Sequence, residues 1–273
     1  MNDMNHPLVS IVTVTWNAEK TIEATLQSVL SQTFTDYEYI IVDGQSSDST
    51  YEIVCRYQEA FEDKGIRYIH ISEKDNGIFD AMNKAISMAS GEWINFMNAD
   101  DKLHDTDVLE QLFVNTGDTY ENISVIYGNT VRVSADSTEL GLAKPIEVMR
   151  LNMPFCHQSS FTRTSVMKEY KFDLNYRVAD YNFFLRLFLN GGEFRKTDVT
   201  IADYSVEGYS NQNKYKTYIG TLDVKHDVGL INKNTFKQKL KNVYFKQLLK
   251  DKGFLHSVVS FIDSKMSRRA TED

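Results

Sequence analysis

Two spacings of apolar residues alternate along the first hundred positions, and each change of spacing marks an element. Val9 to Thr15 (VSIVTVT) is a β-branched run, which predicts a strand covered on both faces. From Thr21 to Leu30, Ile22, Leu26, Val29 and Leu30 recur at helical spacing. Tyr37 to Val42 (YEYIIV) predicts a second strand, followed by a helix carrying Ile53, Val54, Tyr57 and Phe61. Ile66 to Ile71 (IRYIHI) predicts a third strand. Ile78, Phe79, Met82, Ala85, Ile86 and Ala89 then form the apolar side of a helix, with Asp80, Asn83, Lys84 and Ser87 on its other side and Gly91 as its expected stop. Trp93 to Met97 reads as a fourth strand, and Val108 to Val114 as another helix.

Strand and helix alternating across short connections predict an α/β fold, a parallel sheet with helices on both faces. In such sheets ligands sit beyond the carboxyl ends of the strands. Thr15-Trp16-Asn17, Asp43, Asp75 and Asp100 all fall at or just beyond such ends, so four loops converge on one cleft.

The segment from Ser72 to Asp101 adds chemistry. It carries Glu73, Asp75 and Asp80 around one helix and closes a strand on Asp100-Asp101. Magnesium and manganese take oxygen ligands and share them with substrate phosphates, so one or two carboxylates at a strand end suffice for a metal-bound diphosphate. Plainer readings exist for both features. Asp100-Asp101 could cap the helix at Val108, and Asp80 with Lys84 could be a surface pair worth about 0.3 kcal/mol.

Charge and cysteine content narrow the class. The 273 residues carry a net charge of −8, which argues against a nucleic-acid-binding surface. Cys55 and Cys156 form no disulfide framework or zinc signature and suit a reducing cytoplasm. Met1 to His6 is too polar for a signal peptide, and Leu8 to Thr15 too short to span a bilayer.

Taken together, these residues resemble the family 2 glycosyltransferases of bacterial polysaccharide biosynthesis, which have the GT-A fold. Thr15-Trp16-Asn17 is similar to the T-Y-N-like triplet ending the family's first strand, and Val42 to Thr50 to its V-D-D/G-x-S-x-D-x-T element. Glu73, Asp75, Gly77, Asp80, Ala81, Asn83 and Lys84 match an E-x-D-x-G-x-x-D-A-x-N-K block. Asn98-Ala99-Asp100 stands at the D-x-D position, with asparagine in place of the first aspartate. Cys156-His157-Gln158, Ala179-Asp180-Tyr181 and Gly208-Tyr209-Ser210 resemble the subgroup's H-Q, E-D/A-D and G-G-x-S elements. The likeness spans about residues 7–212, and order and spacing carry it better than any one motif.

The resemblance implies a GT-A, Rossmann-like and mostly parallel sheet with a helical C-terminal appendage. Residues 1–105 would be the half that binds the nucleotide sugar, 106–213 the half that binds the acceptor and holds the base, and 214–273 a basic helical appendage. It implies inverting transfer of a hexosyl or N-acetylhexosaminyl group from a nucleoside-diphosphate sugar, with uridine favoured, to a saccharide or lipid-linked saccharide. By the same resemblance Asp43 reads the base with Trp16 beside it, and Thr15 and Asn17 belong to that loop. Asp75, Asp80 and Lys84 contact the sugar or diphosphate, and Asp100 ligates Mn2+ or Mg2+ next to Asn98 and Ala99, with Asp101 or His157 in reserve. Asp180 is the expected catalytic base, although a helix-start acid stabilised by the macrodipole is the plainer reading of its position. His157 and Gln158 are candidate phosphate or acceptor contacts.

From Lys214 onward the chain is lysine-rich and helical in pattern, with Phe236, Leu240, Val243, Tyr244, Leu248 and Leu249, then Phe254 to Ile262. Basic helices with an apolar face suit an anionic membrane. That suggests a cytoplasmic protein held peripherally on the inner face of the membrane; packing on the catalytic domain or a homodimer contact are the alternatives. A sugar-phosphate nucleotidyltransferase is a rival, but the loop Thr15 to Lys20 has no glycine to wrap a triphosphate. A non-catalytic nucleotide-sugar-binding module is the other.

Overall fold

A computed structural model of the chain describes residues 6–117, 120–206 and 214–251, with side chains to 245. The elements in chain order are β1 (Val9–Thr15), α1 (Ile22–Leu30), β2 (Tyr37–Asp43), α2 (Thr50–Arg56), α3 (Gln58–Asp63), β3 (Arg67–Ser72), α4 (Ile78–Met88), β4 (Trp93–Phe96) and β5 (Lys102–Leu103). They continue with α5 (Val108–Phe113), β6 (Val125–Val133), β7 (Thr138–Gly141), β8 (Ser160–Arg163), α6 (Thr164–Tyr170), α7 (Ala179–Leu189), β9 (Phe194–Ser205), α8 (Lys214–Asp227) and α9 (Lys233–Asp251).

The strands form one mixed sheet in the order β3-β2-β1-β4-β8-β6-β9-β5, with β7 pairing β6 beyond β8 along the same edge. The first four are parallel. Beyond β4 the pairings are antiparallel except for β6 with β9. Strand order runs outward from β1 to β3 and then returns to place β4 on the other flank of β1. The carboxyl ends of β1 and β4 therefore border a topological switch point, where a crevice opens because successive connections leave in opposite directions.

Both faces of β1 and β2 are covered, and all seven residues of each are buried. That is why these strands read as unbroken apolar runs. The helix expected over Ile53 to Phe61 is two helices. At Tyr57 the backbone tightens (φ −86°, ψ −4°) and its N–H bonds to the Val54 carbonyl three residues back. The break delivers Phe61 onto Tyr68 at 4.6 Å between ring centres.

Gly91 does not stop α4, which ends at Met88 with Ala89 already extended. A side chain at Gly91 would start 2.6 Å from the Ser10 backbone nitrogen, so the residue is small because the chain passes against β1 there. Nor do Asp100 and Asp101 cap α5. β5 lies between them and the helix, and Asp107 occupies the cap position.

At the opposite end of the strands from the crevice, Glu38 is fully buried. It accepts hydrogen bonds from Ser10 Oγ, Ser90 N, Ser90 Oγ and Gly91 N, and pairs with Arg67 at 2.8 Å. A buried charge is tolerated when it is this fully partnered. Glu38→Ala strands those donors and is expected to cost about 3–5 kcal/mol in urea unfolding. A loss under 1 kcal/mol would show that the clamp does not carry the fold.

Residues 176–178 cluster with the chain from 213 onward as a second compact unit. In it Tyr176 donates to Asp227 at 2.8 Å, and Val178 lies against Gly220. The His226 and Phe236 rings meet at 4.8 Å, and Leu222, Val224, Lys225 and Val243 are buried. Burial and the Lys239 charge lower the Lys225 ammonium to about 8. Tyr244 and Phe245 stand exposed on α9. The expected apolar positions from Phe254 to Ile262, and the side chains of Leu248 and Leu249, lie outside what is described, as does Gly208-Tyr209-Ser210.

Candidate active site

The end of β1 turns through Asn17, whose left-handed backbone (φ 49°) is uncommon for a residue other than glycine. Its side chain accepts the Ser47 N–H at 2.8 Å and its own N–H reaches Ser46 Oγ at 2.8 Å. Asp48 receives the Glu19 N–H, and Thr50 Oγ1 receives the Ala18 N–H. The β1 and β2 end loops are thus laced into one rim, with Gly44 N donating to Thr15 O at 2.8 Å.

Asp43 lies beneath that rim and is fully buried. Its carboxylate receives Ser46 N at 3.0 Å, Ser46 Oγ at 2.5 Å and Ser72 Oγ at 2.5 Å. As placed, its carboxylate is turned into the rim that these bonds hold together. Trp16 is 68% exposed at this end, and Asp75 beside it is half-buried. A side chain on Gly44 would begin 2.5 Å from Asp75 Oδ2 and 3.5 Å from Trp16 Cδ1, so glycine keeps open the space between indole and carboxylate.

The Glu73 to Lys84 block builds the next wall. Asp75 Oδ1 accepts Gly77 N–H at 2.8 Å, and Asp80 Oδ2 accepts Asn76 N–H at 2.9 Å. Lys84 pairs with Glu73 at 2.8 Å and donates to the Lys74 carbonyl, so the surface pair with Asp80 expected from spacing gives way to ties across the loop. Asn83 exchanges two hydrogen bonds with the Phe172 backbone, a scaffold role its motif did not advertise.

At the end of β4, Ala99 faces the hydrophobic core, leaving only its backbone to the site. Asp101 is 1% exposed, and both its oxygens are taken, by Gln158 Nε2 at 2.7 Å and Ser205 N at 2.9 Å. Thr25 Oγ1 holds its carbonyl at 2.7 Å. Burial, then the neighbouring Asp100 charge, push the Asp101 carboxyl up to about 7. Asp100 is half-buried and likewise raised by burial. Asn98 Oδ1 is buried without a partner, as is Thr15 Oγ1.

Among the described residues no group of three or more His, Cys, Asp or Glu forms a self-sufficient metal cage. What is present is a half-buried carboxylate beside an orphaned amide oxygen. That set of hard oxygen donors fits a magnesium or manganese ion that draws most of its shell from phosphates and water.

On the far side, Asp180 opens α7 in its first turn and is half-exposed. Gln158, a candidate acceptor contact, is buried, donating to Asp101 and accepting from the Cys156 thiol at 2.8 Å. Asn95 Nδ2 ties the same loop through the Gln158 and Ser160 carbonyls. His157 is packed between Phe96, Phe172 and Phe184, with Nε2 unpartnered. Burial lowers its imidazole and the Asp180 charge opposes that.

Tyr204 on β9 carried no motif. Burial raises its phenol, as do the charges of Cys156, Asp101, Asp100 and Asp180, so those four groups and the phenol share one neighbourhood.

The family model for Glycosyl transferase family 2 matches residues 10–189. The chain is 31% identical over 231 residues to a "PGL/p-HBAD biosynthesis glycosyltransferase" of Mycobacterium bovis, covering 83% of this chain and 88% of that one. It is 30% identical over 234 residues to the Escherichia coli "UDP-Glc:alpha-D-GlcNAc-diphosphoundecaprenol beta-1,3-glucosyltransferase WfaP", covering 82% and 87%. Among solved structures, S. aureus TarS 1-349 in complex with UDP-GlcNAc superimposes with a TM-score of 0.63 at 19% identity, covering 79% of this chain and 65% of TarS. The mannosyltransferase PcManGT of Pyrobaculum calidifontis, in complex with GDP-Man and Mn2+, does so with 0.65 at 16% identity, covering 97% and 81%. The sheet is that of the GT-A fold, and the matched segment runs from β1 through α7. The chain belongs to glycosyltransferase family 2.

Proposed function

We propose that the protein moves a hexosyl or N-acetylhexosaminyl group, with inversion, from a uridine diphosphate sugar to a hydroxyl of a saccharide carried on a lipid diphosphate. The reaction belongs to the building of a cell-surface polysaccharide. The observation that carries the reading is a convergence at one switch point: an exposed indole beside a carboxylate (Trp16, Asp75), an oxygen-donor pair (Asn98, Asp100) and a separately mounted carboxylate (Asp180). The donor and acceptor named for WfaP and the UDP-GlcNAc held by TarS support the choice of ligands. Family membership sets aside the nucleotidyltransferase alternative.

In this reading Trp16 offers the base a face and Asp75 a hydrogen-bond acceptor, while Asp43 keeps their rim in place. Asp80 and Lys84 shape the loop that faces the sugar and diphosphate. Asp100 and Asn98 would hold manganese or magnesium, and such an ion, when bound, neutralises charge on the departing diphosphate. Asp180 takes the proton of the acceptor hydroxyl as its oxygen attacks the anomeric carbon from the face opposite the leaving group. His157 and its phenylalanines close that side to water.

No helix among the described residues is long and apolar enough to cross a membrane. Tyr244 and Phe245, exposed close to Lys239 and Lys241 on α9, suit peripheral contact with an anionic inner-leaflet surface, with a contact between two copies as the alternative.

Asp43→Ala tests the rim. It is expected to lower thermal stability and UDP affinity together, because each charged hydrogen bond lost is worth about 1.5–3 kcal/mol. Unchanged melting with weaker UDP binding would return Asp43 to direct base contact. The function itself is tested by incubating the protein with UDP-, GDP- and dTDP-sugars and alkyl saccharides, with manganese or chelator, and following nucleotide release. Release from a UDP-sugar that rises with acceptor is expected; release from none of the panel would refute the reading.

A further inference from the structure

Strand register places a cation beside the acid cluster that no motif singled out. Lys102 pairs with Asp203, so Asp101, one residue earlier, lies opposite Tyr204. Tyr204 pairs with Arg132 on β6, and Arg132 with Glu139 on β7. Cross-strand partners project from one face at about 4.8 Å per strand, so Arg132 stands two strands, roughly 10 Å, from Asp101 along a row that passes through Tyr204. The guanidinium leans over Gly141, with its Nε 3.4 Å and Cζ 3.6 Å from where a side chain would begin. It is close enough to Cys156 to oppose the rise in that thiol.

Arg132 is weakly engaged for its position. Its one ion pair, to Glu139, is 3.9 Å long with both side chains more than half exposed. Such a pair contributes little. The opposite face of the same hairpin is apolar: Leu140, which pairs with Val131, is 55% exposed and Leu142 67% exposed. The β7 backbone lies between the two faces, and Gly141 adds no side chain to its edge at that point, so a ligand held at Arg132 has a short path around the edge to the leucines.

We propose that the β6–β7 hairpin docks the lipid-diphosphate part of the acceptor, with Arg132 holding the diphosphate and the Leu140–Leu142 face receiving the start of the apolar chain. The inference rests on the lipid-linked acceptor named above. A guanidinium matches phosphate oxygens two at a time, and along the strand row an anion at Arg132 is held apart from Asp101 by the width of β9. A saccharide joined to that diphosphate would extend past Tyr204 toward Asp180.

The probe is geranyl diphosphate, titrated calorimetrically into protein preloaded with saturating UDP and manganese so that the donor site is filled. Arg132→Ala is expected to weaken it about ten- to a hundredfold. Leu140→Ser with Leu142→Ser is expected to weaken it about tenfold while leaving inorganic pyrophosphate unaffected. All these side chains are exposed, so the variants are expected to fold, and UDP affinity should stay within twofold. Equal affinity of parent and Arg132→Ala for geranyl diphosphate would overturn the proposal. So would a parallel loss of UDP affinity, which would assign Arg132 to the donor. Failure of the parent to release UDP from any donor would instead count against the functional reading, and the titration would still judge the hairpin.

Discussion

Replacing Asp180 with asparagine should leave donor affinity within a few-fold of the parent while single-turnover transfer falls by about 10²–10⁴. Asparagine keeps the size of the side chain, but it cannot take a proton. A group that acts only as the acceptor hydroxyl loses its proton stabilises the transition state and not the ground state, so its loss appears in turnover. Asp180 is a half-exposed carboxylate in the first turn of α7. His157, the nearest alternative base, is enclosed by three phenylalanine rings. Near-normal transfer by Asp180→Asn would remove the aspartate from the chemistry and leave it as a helix-start acid.

The second large effect is expected at Asp100. With Asp101 committed to Gln158 and Ser205, and Asn98 offering no charge, Asp100 is the one free carboxylate at the end of β4. Asp100→Ala should therefore cost more than the roughly 10–100-fold lost when a supporting partner is removed from a metal site, and UDP affinity in manganese should drop to its value in chelator. A pH dependence follows. Burial holds both carboxyls above their ordinary range, Asp101 at about 7. Manganese binds the ionised form of Asp100, whose carboxyl burial raises, so protons compete more strongly as pH falls and affinity should drop on acidification. Unchanged manganese dependence in Asp100→Ala would move the ion elsewhere.

The first half of the fold was legible because strands buried on both faces must be apolar throughout. β1 and β2 carry that signature, and their ends named Thr15, Trp16, Asn17 and Asp43. The burial of Asp43 was not legible, since its bond to Ser72 comes from a residue 29 positions away. Gln158 and Asp101 are 57 positions apart, and nothing local distinguishes a bracing amide from one facing a ligand. Gly91 resembled a helix stop because close approach to β1 and a left-handed cap both select glycine. The second half was least visible. β5 has two residues, and the pairings of β6 with β8 and β9 bring Arg132 and Tyr204 to the site through non-local register alone.

A crystal grown with UDP and manganese would test the central claim most directly. The account predicts a manganese ion between the Asp100 carboxylate and the diphosphate, at the mouth between β1 and β4, with uracil between Trp16 and Asp75. Nucleotide bound outside that crevice, or bound there with the diphosphate remote from Asp100, would contradict it.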